Sequence, residues 1–202
     1  MRLACLLPAA GASTRMRGGD KLLELVDGKP CLSAMAERAL AADMHVLVTL
    51  PSAEHPRAKA IKHLPVQQVI TPNARVGMSA SLAAGALAMP KEAAGLMVLP
   101  ADMPAISSDD IGEMGALFLI HGDCILQAQS KSGAMGHPII FPRDITLGLW
   151  HLTGDRGAQP ILERNAERMK TASFGDDSPL QDLDTPEDWA AWRASLARRE
   201  RL

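Results

Sequence analysis

The sequence predicts an α/β domain with a mostly parallel central sheet. Three observations predict it: short apolar runs that do not alternate with polar residues, helical patterns between those runs, and no repeat or low-complexity linker to divide the 202 residues. Apolar runs of this kind suit strands covered on both faces. Strand, helix and strand in succession imply parallel pairing through right-handed crossovers.

The strands are expected at residues 3–8, 45–50, 66–71, 96–99 and 124–128, each buried on both faces. Between them, residues 31–42 carry apolar side chains at Leu32, Met35, Ala36, Ala39 and Leu40, the spacing of an amphipathic helix. Residues 79–89 are rich in Ala and Leu and stop before Pro90, as a helix should. After residue 128 the rhythm changes. Gly133 and Gly136 bracket a turn, and Pro138-Ile139-Ile140-Phe141-Pro142 forms a short strand whose prolines favour a sheet edge or an excursion from the main sheet. Thr185-Pro186-Glu187-Asp188 then opens a final helix, with Thr as cap, Pro at the first position and acids facing the positive end of the dipole. That helix carries Trp189, Trp192 and Leu196 on one face.

Composition limits the functions available. Apolar residues make up 47%, charged residues 22% and the formal net charge is −2, so neither a disordered chain nor bulk attraction to nucleic acid is expected. With no Tyr and three each of Phe and Trp, few platforms exist for stacking single-stranded bases. The three cysteines, Cys5, Cys31 and Cys124, lack zinc or redox spacing and read as reduced core thiols. The six histidines form neither H-x-H nor H-E-x-x-H. Residues 3–10 are apolar but far short of the ~20 needed to span a bilayer, and the cations follow them rather than precede them. A cytoplasmic protein with no membrane partner is therefore expected.

Two features carry chemistry. The first strand runs into Ala9-Ala10-Gly11-Ala12-Ser13-Thr14-Arg15-Met16, followed by Gly18, Gly19 and Lys21. Small side chains let backbone N–H groups approach an anion, and Arg15 and Lys21 add fixed positive charge, which suits a polyphosphate. The loop is neither G-x-G-x-x-G nor a Walker A sequence. A plain strand-to-helix turn with surface cations is the competing explanation. The second feature is Leu99-Pro100-Ala101-Asp102-Met103-Pro104, where an apolar strand ends in a carboxylate. Ligands gather at the carboxyl ends of parallel strands, and a carboxylate there can hold Mg²⁺ beside substrate phosphates. The alternative, Asp102 as a helix cap, is weakened because Ser107 and Ser108 already supply one.

With these elements in place, the chain resembles the MobA-like NTP transferase superfamily and, within it, the molybdenum cofactor cytidylyltransferases. The resemblance rests on the 8–16 segment with Lys21, on Asp102-Met103-Pro104, and on Asn73 with Gly77-Met78-Ser79-Ala80-Ser81-Leu82. It continues through Gly136-His137-Pro138-Ile139-Ile140-Phe141, Gly154-Asp155-Arg156-Gly157-Ala158 and Asp182-Leu183-Asp184-Thr185-Pro186-Glu187-Asp188. Three positions depart from the pattern: Pro8 stands where Leu is usual, Arg17 is an extra residue before Gly18, and Gln159 stands where Arg is common.

The resemblance implies one three-layer, Rossmann-like nucleotidyltransferase domain over residues 1–202, which transfers CMP from CTP to the molybdopterin cofactor and releases pyrophosphate. It implies a nucleotide site that begins at Ala9, in which the backbone groups of Ala10, Gly11, Ala12 and Ser13, with Arg15 and Lys21, hold the triphosphate, and Asn73, Gly77 and Ser81 lie near the base or ribose. Arg15, Lys21 and Asp102 would be catalytic. Asp102 with Asp182 or Asp184 would bind Mg²⁺, although acids before a helix N-terminus also have a purely structural explanation. His137, Asp155 and Arg156 would face the acceptor. A recipient molybdoenzyme or its chaperone is a further expected partner. Relatives that transfer GMP usually carry Ala-Gly-Gly in place of Ala9-Ala10-Gly11. A methyl group of Ala10 beneath the base would narrow the pocket floor, so CTP is expected over GTP. A guanylyltransferase, a sugar- or alcohol-phosphate nucleotidyltransferase, a cofactor carrier and an oxidoreductase remain as alternatives.

Overall fold

The computed structural model describes residues 2–72, 78–152, 154 and 156–199. Among them is a seven-stranded sheet built from β1 (Ala4–Pro8), β4 (His45–Leu50), β5 (Gln67–Ile70), β6 (Gly95–Val98), β7 (Ile125–Gln129), β8 (Met135–Pro142) and β9 (Met169–Ser173). The spatial order is β5-β4-β1-β6-β8-β7-β9. Parallel pairs join β5 to β4, β4 to β1, β1 to β6 and β7 to β9, while β8 runs antiparallel to both β6 and β7. The mostly parallel sheet predicted from the apolar runs is therefore present.

The helices are α1 (Cys31–Ala41), α2 (Pro56–Ala60), α3 (Met78–Ala88), α4 (Ser108–His121), α5 (Arg143–Leu149), α6 (Gln159–Arg164) and α7 (Pro186–Arg199). They explain why the strands are apolar without alternation. Cys5 and Leu7 of β1 enter one core with Met35 of α1, Phe118 of α4 and Trp189 of α7. Ala4 and Leu6 of the same strand enter a second core with Leu82 and Ala86 of α3, Ile145 of α5 and Ile161 of α6. The sheet thus has an apolar layer on each face. Gly85 permits the close seating of α3, because a Cβ there would collide with the Leu6 side chain.

Two expectations need correction. The 66–71 run does not make a strand buried on both faces: β5 is an edge strand, and its Gln67, Gln68 and Ile70 are exposed. Nor do the prolines of the 138–142 run place it at an edge. β8 lies inside the sheet, between β6 and β7. Pro138 falls beyond the last β6 pair, Val98 with Ile139, and within the register shift of β7 against β8, where a missing N–H costs no ladder bond. Pro142 closes the strand opposite Gly95.

The hairpin of β2 (Leu25–Val26) and β3 (Lys29–Pro30) was not expected from the apolar pattern. Its turn residues Asp27 and Gly28 have φ of 52° and 78°, the left-handed pair that a two-residue hairpin needs.

The chain steps from β1 outward to β4 and β5, then returns to β6 on the other side of β1. That reversal opens a crevice beyond the carboxyl ends of β1 and β6, where the glycine-containing loop and Asp102 both emerge.

Candidate active site

The crevice is a cavity of about 770 Å³. Its lining includes Gly11, Ala12, Ser13, Arg15, Lys21, Ser81, Asp102 and Asp184, which lie far apart in sequence. Ala9 and Ala10 are buried and do not face it. The Ala9 N–H is already bonded to the Thr49 carbonyl at 3.0 Å. With Ala10 only 6% exposed, the geometry gives no support to its methyl group as a pocket floor beneath a base. Among the described residues, the amides of Ala10, Gly11, Ala12 and Ser13 have no hydrogen-bond partner.

The loop is held from behind. Ser13 adopts φ 49°, ψ 38°, a left-handed conformation that is costly for a residue with a Cβ and persists only when neighbours enforce it. Arg57 enforces it: Nη1 donates to the carbonyls of Ala9 at 2.7 Å and Gly11 at 2.6 Å, and Nη2 donates to Ser13 Oγ at 2.8 Å. Asp20 returns the charge, accepting from Arg57 Nε at 2.8 Å and Nη2 at 2.8 Å. Neither Arg57 nor Asp20 was singled out from sequence. Arg57 lies in a polar stretch 46 residues from Gly11, and only the fold brings them together.

The Asp102 segment is pinned as firmly. Cys31 Sγ donates to the Ala101 carbonyl at 3.1 Å, Leu183 N donates to the Asp102 carbonyl at 2.9 Å, and Arg38 Nη1 donates to the carbonyls of Pro104 and Ile106 at 2.6 and 2.9 Å. Ser107 caps α4 with a reciprocal Asp110 contact, so Asp102 is free of that duty, as expected. The Leu183 bond also draws the 182–184 segment to the crevice.

Lys21 Nζ lies between two carboxylates, bonded to Asp102 Oδ2 and, at 2.7 Å, to Asp184 Oδ1. Arg15 Nη1 reaches the other Asp184 oxygen at 2.6 Å while its side chain stays 68% exposed. Burial disfavours the charged ammonium of Lys21, but Asp102 and Asp184 outweigh it and raise the pKa. Burial likewise works against an ionised Asp184, yet Lys21, Asp182 and Arg15 together lower its pKa. Asp182 goes the opposite way, raised by burial and then by the neighbouring Asp184. It does not line the cavity.

A divalent cation fits this donor set. Asp102 Oδ1 is buried with no hydrogen-bond partner among the described residues, an oxygen ligand left open beside Asp184. No group of three or more His, Cys, Asp or Glu that could hold a metal occurs among the described residues. Two carboxylates completed by substrate oxygens are the pattern that Mg²⁺ accepts.

A second cavity of about 370 Å³ shares Met78 and Pro100 with the first. His137, Arg156, Gly157, Gln159 and Gln127 line it with apolar residues of α3, β6 and β8. Burial lowers the pKa of His137, partly offset by the charge of Asp102. Arg156 is paired with Glu163 at 2.7 Å. Asn73, Gly77 and Asp155 lie outside the described residues. Cys5, Cys31 and Cys124 are free and buried, and burial pushes the Cys5 and Cys31 thiols up to about 12, in line with inert core cysteines. No described helix is long and apolar enough to cross a membrane.

The model of the MobA-like NTP transferase domain matches residues 5–169. The chain belongs to that family. A MobA-like chain is a nucleotidyltransferase. No curated protein sequence matches this one significantly. A nucleotidyl transferase from Methanothermobacter thermautotroptrophicus superposes with a TM-score of 0.82 at 20% identity, over 98% of this chain and 99% of that one. A Mycobacterium tuberculosis protein in complex with manganese gives 0.74 at 22% identity, over 95% and 97%. CMP:2-keto-3-deoxy-manno-octonic acid synthetase complexed with CTP gives 0.74 at 18% identity, over 98% and 100%. At these identities the likeness shows the shared fold.

Proposed function

We propose that this MobA-like chain, as a single domain, is a cytidylyltransferase that moves CMP from CTP to the molybdopterin cofactor. The observation that carries the reading is the Lys21, Asp102 and Asp184 cluster, which faces the amides of residues 11–13 across one cavity and adjoins a second cavity of a size for an acceptor. The choice of CTP and of molybdopterin rests on the resemblance of the motifs to molybdenum cofactor cytidylyltransferases. The CTP-bound structural neighbour is compatible with it.

No side-chain nucleophile is needed. The terminal phosphate oxygen of the acceptor attacks the α-phosphorus of CTP, a new P–O bond forms, and the bond to the β-phosphate bridging oxygen breaks to release pyrophosphate. The loop amides of Gly11, Ala12 and Ser13 bind the triphosphate, Arg15 and Lys21 neutralise its charge, and Ser81 lies on the nucleoside side. Asp102 and Asp184 would hold Mg²⁺, which supplies charge neutralisation on the phosphates when bound. Lys21 then exchanges carboxylate oxygens for phosphate oxygens. His137 and Arg156 contact the acceptor through hydrogen bonds, with Gln159 near them.

Mass spectrometry of a reaction containing CTP, Mg²⁺ and molybdopterin tests the reading. The cytosine dinucleotide is the expected product. Unchanged molybdopterin would indicate a carrier, and product only from GTP or from a sugar phosphate would reassign the substrate.

A further inference from the structure

We infer that Arg57 is a positioning residue for phosphate binding: it fixes the amides of residues 11–13 in the conformation that receives an anion, without touching the anion. The inference rests on the triphosphate reading of the loop. A guanidinium has five N–H donors, and here all five are engaged. Nε donates to Asp20, Nη1 to Ala9 and Gly11 carbonyls, and Nη2 to Ser13 Oγ and Asp20. The residue is 2% exposed although it borders the cavity. Arg15, at 68% side-chain exposure and held, among the described residues, by the single ion pair to Asp184, is the opposite case.

The pattern of acceptors explains what Arg57 does. By drawing the carbonyls of Ala9 and Gly11 to one side, it turns those peptide oxygens away from the site of negative charge. Ser13 is held in its left-handed conformation by the same group, and Asp20 fixes the guanidinium in turn and accepts from Leu22 N at 3.0 Å. Asp20 thereby ties the loop to the segment that carries Lys21. Removing the brace should let the loop relax, so that ordering it again falls on ligand binding. The cost must then appear in affinity for phosphate and not in affinity for the nucleoside.

The test is calorimetric titration of the full chain with inorganic tripolyphosphate and, separately, with cytidine. Variants are Arg57→Ala, Arg57→Lys and Asp20→Asn, with circular dichroism as the check on folding. Because removing one partner of a buried ion pair can unfold a domain, the two milder variants keep the test decisive. Tripolyphosphate should bind roughly tenfold or more weakly to folded variants, the scale of losing hydrogen bonds to a charged group, while cytidine affinity stays within twofold. Equal losses for both ligands, or none, overturn the positioning role. Failure of the wild type to bind tripolyphosphate at all instead removes the triphosphate reading on which the inference rests.

Discussion

Lys21 donates a 2.7 Å hydrogen bond to Asp184 across 163 residues of chain, and the same ammonium is bonded to Asp102. One cation therefore satisfies the two carboxylates best placed to hold a metal ion. Two charged groups brought together by elements this remote must offset their loss of hydration by good mutual geometry.

This arrangement makes Lys21 a competitor for metal in the absence of nucleotide. Lys21→Met should bind Mn²⁺ more tightly than the wild type by several-fold to about tenfold, as expected when a neighbouring like charge is removed. Turnover should nevertheless collapse, because the charge is then missing as pyrophosphate separates. Electron paramagnetic resonance of free Mn²⁺ near pH 7.5 measures the first effect. Weaker Mn²⁺ binding by the variant would show that Lys21 supports the metal site instead of competing for it.

Asp102→Asn keeps the side-chain shape and removes the charge. Turnover should fall at least ~100-fold, the scale of a preorganised electrostatic group, with unchanged circular dichroism. Activity close to wild type would remove Asp102 from the metal assignment.

The pH dependence of His137 offers a test without substrate. Burial holds its folded pKa below the ordinary 6.5, and Asp102 works against that shift. The unfolded chain therefore takes up a proton first as pH falls. Stabilisation by neutral His137 is complete above pH 6.5 and is lost as pH drops below 6.5 towards the folded value. Proton NMR should place the His137 midpoint below 6.5 and move it lower still in Asp102→Asn. A midpoint at or above 6.5 would contradict the burial argument.

Much of the fold was legible because β1, β4 and β6 are buried on both faces, which leaves an unbroken apolar run and a narrow choice of structure. β5 was misjudged for the converse reason: its edge position is marked only by Gln67 and Gln68. Pro138 misled because a proline rule for sheets has an exception at a register shift, and that shift depends on the partner strand β7. In the site, Arg15, Lys21 and Asp102 stood beside small-residue or strand-end signals. Asp184 could be separated from Asp182 only once the Leu183 bond to Asp102 oriented the segment. Arg57 carried no local signal at all, since its role consists of contacts made 37 to 48 residues away.

The most direct measurement of the central claim is acceptor-dependent pyrophosphate release by the purified protein with Mg²⁺, comparing kcat/KM for CTP and GTP with molybdopterin as acceptor. The account predicts release that requires molybdopterin and is faster with CTP than with GTP, the preference that the motif resemblance to the cytidylyltransferases implies. No acceptor-dependent pyrophosphate from either nucleotide, or a preference for GTP, would contradict it.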